Sequence, residues 1–266
     1  MHAVSFKRIG LIVAVAASSA FVWSAALPWL KSPFLFSGWW VIVWPALALT
    51  LQGAVVGLAW MMLDGVLERL AAILASWATF VLFWHADIWY LTMLPVFAGL
   101  WYLSSRRIRN DLTDRHKVRV STSLGAGISP AILGTFLMLS LGFYLLPAYH
   151  SVGASDVSTG IQGQIRSTYE NPAVKQQLDQ LPATQRAQVE SDLSKNVDSW
   201  VKRFLGPLGP FLPPLLAFGL FLVLWSTLFI FRELSIWLGV ILLWLLRSVG
   251  FVHVEEKDVK AEVLVL

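Results

Sequence analysis

The chain contains no cysteine. That one absence excludes disulfides, thiolate metal sites and cysteine nucleophiles together, and it leaves the redox compartment open. Charge is nearly as scarce: only 14% of the 266 residues are Asp, Glu, Lys or Arg, against about a quarter in an ordinary soluble domain. So few charges could not clothe a water-facing surface, so lipid must be the main solvent. A broad basic face is also missing, because the formal net charge is only +4 and most of the excess sits in one short stretch. That distribution excludes the electrostatic footprint of a nucleic-acid protein.

What the chain does have is oil. Apolar residues make up 57% of it, and the mean hydropathy is +0.67. The 14 Trp fall mostly near the ends of apolar runs, where an indole keeps its ring dry and finds a partner for its N–H at the headgroup boundary. Core filling accounts for the rest.

A helix needs about 20 mainly apolar residues to cross the hydrocarbon. The first such run covers residues 9–27 and follows Lys7 and Arg8. It also fits a cleavable signal peptide ending in Ser24, Ala25 and Ala26, although the run is longer than a usual signal core, which favours a retained helix. Further runs cover residues 39–62, 65–84, 88–103 and 127–149, with His85, Ala86 and Asp87 as a hairpin turn. After a polar stretch come residues 211–231 and 234–252, separated by Arg232 and Glu233. Seven spans follow, or six if residues 234–252 lie along the surface.

The expected fold is therefore all-α, a polytopic transmembrane helical bundle with a small amphipathic-helical extramembrane segment. Its parts are a five-span region (1–149) that includes a basic loop (104–123), a polar segment (150–206), a two-span hairpin (207–252) and a polar tail (253–266).

Residues 104–119 read SSRRIRNDLTDRHKVR, six basic side chains and two acids. With Lys7 and Arg8 in the cytoplasm, four crossings bring this stretch back to the cytoplasm. Short cytoplasmic loops carry an excess of Lys and Arg, so both basic signals fall on one side. Arg106, Arg107, Arg109, Arg115, Lys117 and Arg119 are expected to set topology and to touch anionic headgroups. The setting implied is the cytoplasmic membrane, with the polar segment extracytoplasmic.

That segment holds six basic and six acidic residues. Two apolar stripes at four-residue spacing run along it, Val157-Ile161-Ile165-Tyr169 and Val189-Leu193-Val197-Val201, each too narrow to fold alone. They point to short helices that cap the bundle or meet a protein partner. The tail alternates apolar and polar residues from Val252 to Val265, a pattern suited to strand addition to a partner or to a frayed end.

Inside the apolar runs, Gly53 and Gly57 make a GxxxG pair beside Gln52, and Gly127 and Ala131 give residues 127–149 a similar small flank. Such residues let helices approach closely while a neighbouring amide bonds across the contact. Asp64, Glu68 and Arg69 stand where two runs meet and fit a water-facing acid–arginine turn better than a cation or proton site. His85 and Asp87 could orient an imidazole, but two ligand types are too few for a metal. No ionisable residue falls at mid-membrane in the first six runs, which weighs against a coupled carrier. No cofactor, metal or nucleic acid is implied. The leading reading is a non-enzymatic scaffold or partner-binding membrane protein. A small-solute transporter or channel lined by Gln52, Thr50, Ser76, Thr79 or Asp64 is the alternative, and an enzyme would require His85, Asp87, Asp64 and Glu68 to converge.

Overall fold

A computed structural model describes residues 2–31, 40–84, 88–113, 119–146 and 206–252, with isolated positions between 159 and 204. Every regular element among the described residues is a helix: α1 (His2–Lys31), α2 (Trp40–Met62), α3 (Val66–Trp84), α4 (Ile88–Thr113), α5 (Val120–Leu145), α6 (Leu212–Ser226) and α7 (Leu228–Ser248), with a 3-10 turn at Gly206–Phe211. The all-α membrane bundle expected from composition is what the chain forms. Five helices are long and apolar enough to cross a membrane: Phe6–Leu30, α2, α3, α5 and α7. α4 has the length, 26 residues, but is charged from Arg106 onward, and α6 is apolar but short, 15 residues.

The chain divides into two compact units, Met1–Leu141 with Phe221–Leu266, and Gly142–Leu220. In the first, α2 is central. It packs on α1, α4 and α7, and 12 of its 23 residues are buried. α3 instead buries a single stripe, Arg69, Ala72, Ile73, Ser76, Phe80 and Trp84, the 3.6-residue periodicity of a helix with one face on the bundle. The outward faces remain apolar, with Trp40, Trp44 and Leu47 on α2 and Trp237 and Trp244 on α7 all more than half exposed. A soluble protein would not present such a surface to water. In the second unit, Val201 is buried while Trp200 and Phe204 are exposed with ring centroids 5.1 Å apart. Most of the polar segment and its stripes, and the tail from 253, lie outside the described residues.

Several boundaries differ from the sequence expectation. The expected loop 104–123 is mostly helix, because α4 continues to Thr113 and α5 begins at Val120. Hydropathy marks where lipid ends, but a helix keeps its i→i−4 bonds in water and Arg propagates it well. α5 stops at Leu145 rather than near Tyr149 because Pro147 disfavours helical backbone at the residue before it. Arg232 and Glu233, taken as a break between two helices, lie inside α7. The interruption is at Thr227, where Thr227 Oγ1 and Ser226 Oγ donate back to Leu224 O and Val223 O, both at 2.7 Å. Two adjacent hydroxyls bonding the preceding turn disturb a helix more than a pair of charges does.

α7 ends in a Schellman motif. Gly250 sits at φ 72°, a conformation that glycine adopts without steric cost. Its N–H bonds Arg247 O at 3.0 Å, and the Phe251 N–H bonds Leu246 O at 2.9 Å, the paired closure of that motif. The turn presents Phe251 O to Lys7 Nζ at 2.8 Å, and Lys7 lies 5.0 Å from the Phe251 ring centroid. The end of α7 and the start of α1 therefore lie at the same end of the bundle.

Candidate functional site

Three polar groupings stand out in an otherwise oily structure. The first is the core of the bundle around Gln52, which is 2% exposed. Its Nε2 donates to Ser19 Oγ at 3.0 Å, and its Oε1 accepts from Thr135 Oγ1 at 3.2 Å. Ser19 Oγ and Ser76 Oγ are 2.7 Å apart. One amide thus links α2 to α1 and α5, and through Ser19 to α3. Trp101 Nε1 adds α4 by donating to Ala131 O at 3.0 Å, the same carbonyl that Thr135 Oγ1 approaches at 3.2 Å. On the other flank, Trp23 Nε1 donates to Thr79 Oγ1 at 3.2 Å. The space bounded by Gln52, Trp101, Ala131 and Thr135 is too tight to hold a water molecule.

The predicted glycines create this closeness. A Cβ on Gly57 would lie 2.6 Å from Leu124 Cδ2, and one on Gly53 would meet Ser235. A Cβ on Gly127 would lie 2.6 Å from Ser104 O. The GxxxG pair therefore faces α5 and α7 of its own chain. Ser235 completes that contact by donating to Thr50 O at 3.0 Å, and Ala131, 3% exposed, supplies the carbonyl to Trp101.

The second grouping is at the end of the bundle shared by Lys7 and Phe251. Arg8 Nη1 bonds Glu68 Oε1 at 2.6 Å and Arg8 Nη2 lies 3.8 Å from Asp64 Oδ2. Arg109 Nη1 bonds Asp64 Oδ1 at 2.9 Å and Leu63 O at 3.0 Å. Glu68 Oε2 also accepts the Gly65 N–H at 3.2 Å, half of a capping box at the start of α3. Arg69 Nε turns back to Gly65 O at 3.3 Å. Arg69, expected to pair with the acids of this turn, bonds the backbone oxygens of Gly65 and Asp64, and the acids pair instead with Arg8 of α1 and Arg109 of α4. Arg106 and Arg107 are exposed on α4, and Arg119 is exposed just before α5.

His85, Asp87, Arg115 and Lys117 lie outside the described residues. Among the described residues, no three His, Cys, Asp or Glu side chains gather as a metal site would require. Asp64 and Glu68 stand at one end of α3 and Trp84 at the other end of this 19-residue helix, which is about 28 Å long.

The third grouping was not foreseen. A groove of about 780 Å³ runs along α5 and α7, lined among others by Asp111, Ser121, Thr122, Arg232, Glu233 and Trp237. Arg232 and Glu233 are 42% and 56% exposed in their side chains and 3.8 Å apart. Arg232 Nε is itself buried and bonds no acceptor. The sequence signal was present, two charges in an apolar stretch, but it reads equally well as a helix break.

Comparison with protein-family models, with curated proteins and with solved structures finds no match to this chain.

Proposed function

We propose that this protein is a non-enzymatic, multi-pass membrane protein that acts by binding rather than by catalysis or by conduction through its centre. The observation that carries the reading is the closed network around Gln52. A solute pathway needs polar groups facing water, whereas Gln52, Ser19, Ser76 and Thr135 bond one another across four helices, and the space beside Gln52 and Thr135 is too tight for water. Such groups act as glue between membrane helices. Ser19 and Trp23 belong to this core, which supports α1 as a retained helix rather than a leader.

The Lys7–Phe251 contact supports an even number of crossings. We place α1, α2, α3, α4, α5 and α7 across the cytoplasmic membrane. The Arg8–Asp64–Glu68–Arg109 end then faces the cytosol, in line with the basic residues that flank it. On this topology residues 150–206 lie outside, the tail beyond Val252 is cytosolic, and either is available to a protein partner.

Reporter fusions after Lys117, Gln176 and Leu266 test the topology. Cytosolic signal is expected from the first and last and extracytoplasmic signal from the second; an extracytoplasmic Leu266 restores seven crossings. Flux of a broad panel of small solutes through vesicles holding the purified chain tests the function, and solute-specific flux would replace the binding role with the transporter alternative.

A further inference from the structure

We propose that Arg106 and Arg107, on the outward face of α4, bind the headgroup of an anionic phospholipid whose acyl chain lies along the apolar face that leads up to them. This rests on α4 crossing the membrane, the topology proposed above. The structure gives the arginines of α4 two different tasks. Arg109 is committed within the chain, to Asp64 Oδ1 at 2.9 Å and Leu63 O at 3.0 Å. Arg106 and Arg107 are exposed, and among the described residues they form no ion pair or hydrogen bond. The helix turns one face inward, where Phe97, Trp101, Ser104 and Ile108 are buried, and the other outward, where Val96, Leu103 and Arg106 are exposed. Spacings of three and four residues keep each set on its own face.

Along the outward face, oil gives way to charge, which is the order of a lipid from tail to headgroup. Arg106 follows Val96 by ten residues, about 15 Å along a helix, and one leaflet supplies about 15 Å of the hydrocarbon. A guanidinium meets phosphate through two parallel N–H donors, and its stem can lie on the hydrocarbon while the head reaches outward. The surrounding charge selects an anionic lipid over a zwitterionic one. The described acids at this end of the bundle are already engaged: Asp64 with Arg109 and Arg8, Glu68 with Arg8, and Asp111 with the Ser123 hydroxyl at 2.8 Å. An ammonium or choline group beside Arg106 and Arg107 would meet like charge with no free carboxylate to receive it. A glycerol headgroup leaves the phosphate charge unopposed. An acidic peptide would answer the charge but not the apolar face below it.

The test is native mass spectrometry of the delipidated full chain in detergent. It is offered an equimolar mixture of phosphatidylglycerol, phosphatidylethanolamine and phosphatidylcholine with identical acyl chains. Preferential retention of phosphatidylglycerol is expected. Arg106→Gln and Arg107→Gln should each lower that preference about fivefold, the contribution of one basic residue near an anionic surface. Both positions are exposed and glutamine propagates a helix well, so the variants should fold. Arg247→Gln removes an exposed arginine from the last turn of α7, with the same change in net charge, and should leave the preference as it was. Equal retention of the three lipids would overturn the proposal. So would an equal loss in Arg247→Gln, because bulk charge would then suffice. Release of the lipid by inorganic phosphate alone would overturn it as well, since the arginines would then hold phosphate without an acyl chain. A chain that retains no lipid of any kind and stays dissolved without detergent would sink the membrane reading itself, an outcome distinct from losing headgroup preference alone.

Discussion

Two polar regions of this bundle follow opposite designs. Around Gln52 the groups are neutral and bonded to one another, and no water fits between them. Along α5 and α7 the groups are charged, with Arg232 Nε 3.8 Å from Glu233 Oε1, and they border about 780 Å³ of open groove. The difference shows how polarity can be used in a lipid solvent. Neutral amides and hydroxyls fix the register of helices at small cost because each finds a partner in the chain. Charged groups cost more among apolar helices, and here they stand side by side with opposite sign and open to the groove. The glycines divide in the same way: Gly53, Gly57 and Gly127 are covered by neighbouring helices, whereas Gly125 floors the groove.

The largest predicted effect breaks the tight side of that contrast. In Gly127→Leu the new side chain would start 2.6 Å from Ser104 O and 3.0 Å from Ile108 N, and both of those atoms are backbone. Overpacking a close contact costs about 1–3 kcal/mol, and backbone cannot rotate away as a side chain can. A marked fall in melting temperature in detergent, with loss of the monodisperse peak on gel filtration, is expected; an unchanged melt would mean that α4 and α5 are not pressed together.

Next comes Gln52→Leu, which removes the bonds to Ser19 and Thr135. Hydrogen bonds between membrane helices contribute about 0.6 kcal/mol on average and up to about 1.7, so a total loss of about 1–2 kcal/mol is expected in a denaturing-detergent titration. A double-mutant cycle with Thr135→Val should recover a coupling of roughly 0.6 kcal/mol. Zero coupling would detach Gln52 from the lock. The charged end should matter less. Asp64→Asn weakens contacts to Arg8 and Arg109, but its side chain is 67% exposed, so about 0.5–1 kcal/mol is expected, shrinking as salt is raised. A salt-independent loss would contradict a water-facing cluster.

The sequence made the class of fold plain, and the reason is physical: a run of about 20 apolar residues has few fates other than crossing a bilayer. α2 and α3 emerged almost to the residue, since both are bounded by polar or turn-forming residues. The ends of α1, α4 and α5 did not, because hydropathy reports solvent and not backbone hydrogen bonding. Gln52 with Gly53 and Gly57 was legible as a packing motif. Its partners Ser19 and Thr135 were not, since hydroxyls inside apolar runs reveal nothing about which helices face each other. Which Trp fill the core was hidden for the same reason: Trp23, Trp60 and Trp101 are fully buried, and nothing in their spacing sets them apart from Trp at the interface. Arg8 was visible as a topology signal, but its ion pair with Glu68, sixty positions away, depends on tertiary packing alone.

The smallest predicted effect sharpens the comparison among glycines. Gly99 lies on α4, the helix that presses on Gly127, yet a Cβ added to it meets nothing within 4 Å. Gly99→Ala should therefore be harmless or slightly stabilising, by roughly 0.5 kcal/mol from the better helix propensity of alanine. The melt should move up by little or not at all. The informative failure is a fall comparable to that of Gly127→Leu. Among the described residues nothing would account for such a fall, so the face of α4 around Gly99 would then be covered either by residues outside them or by another molecule in the membrane. Repeating the melt over a range of protein concentrations would then identify a second copy of the chain, because only self-association makes the loss depend on protomer concentration.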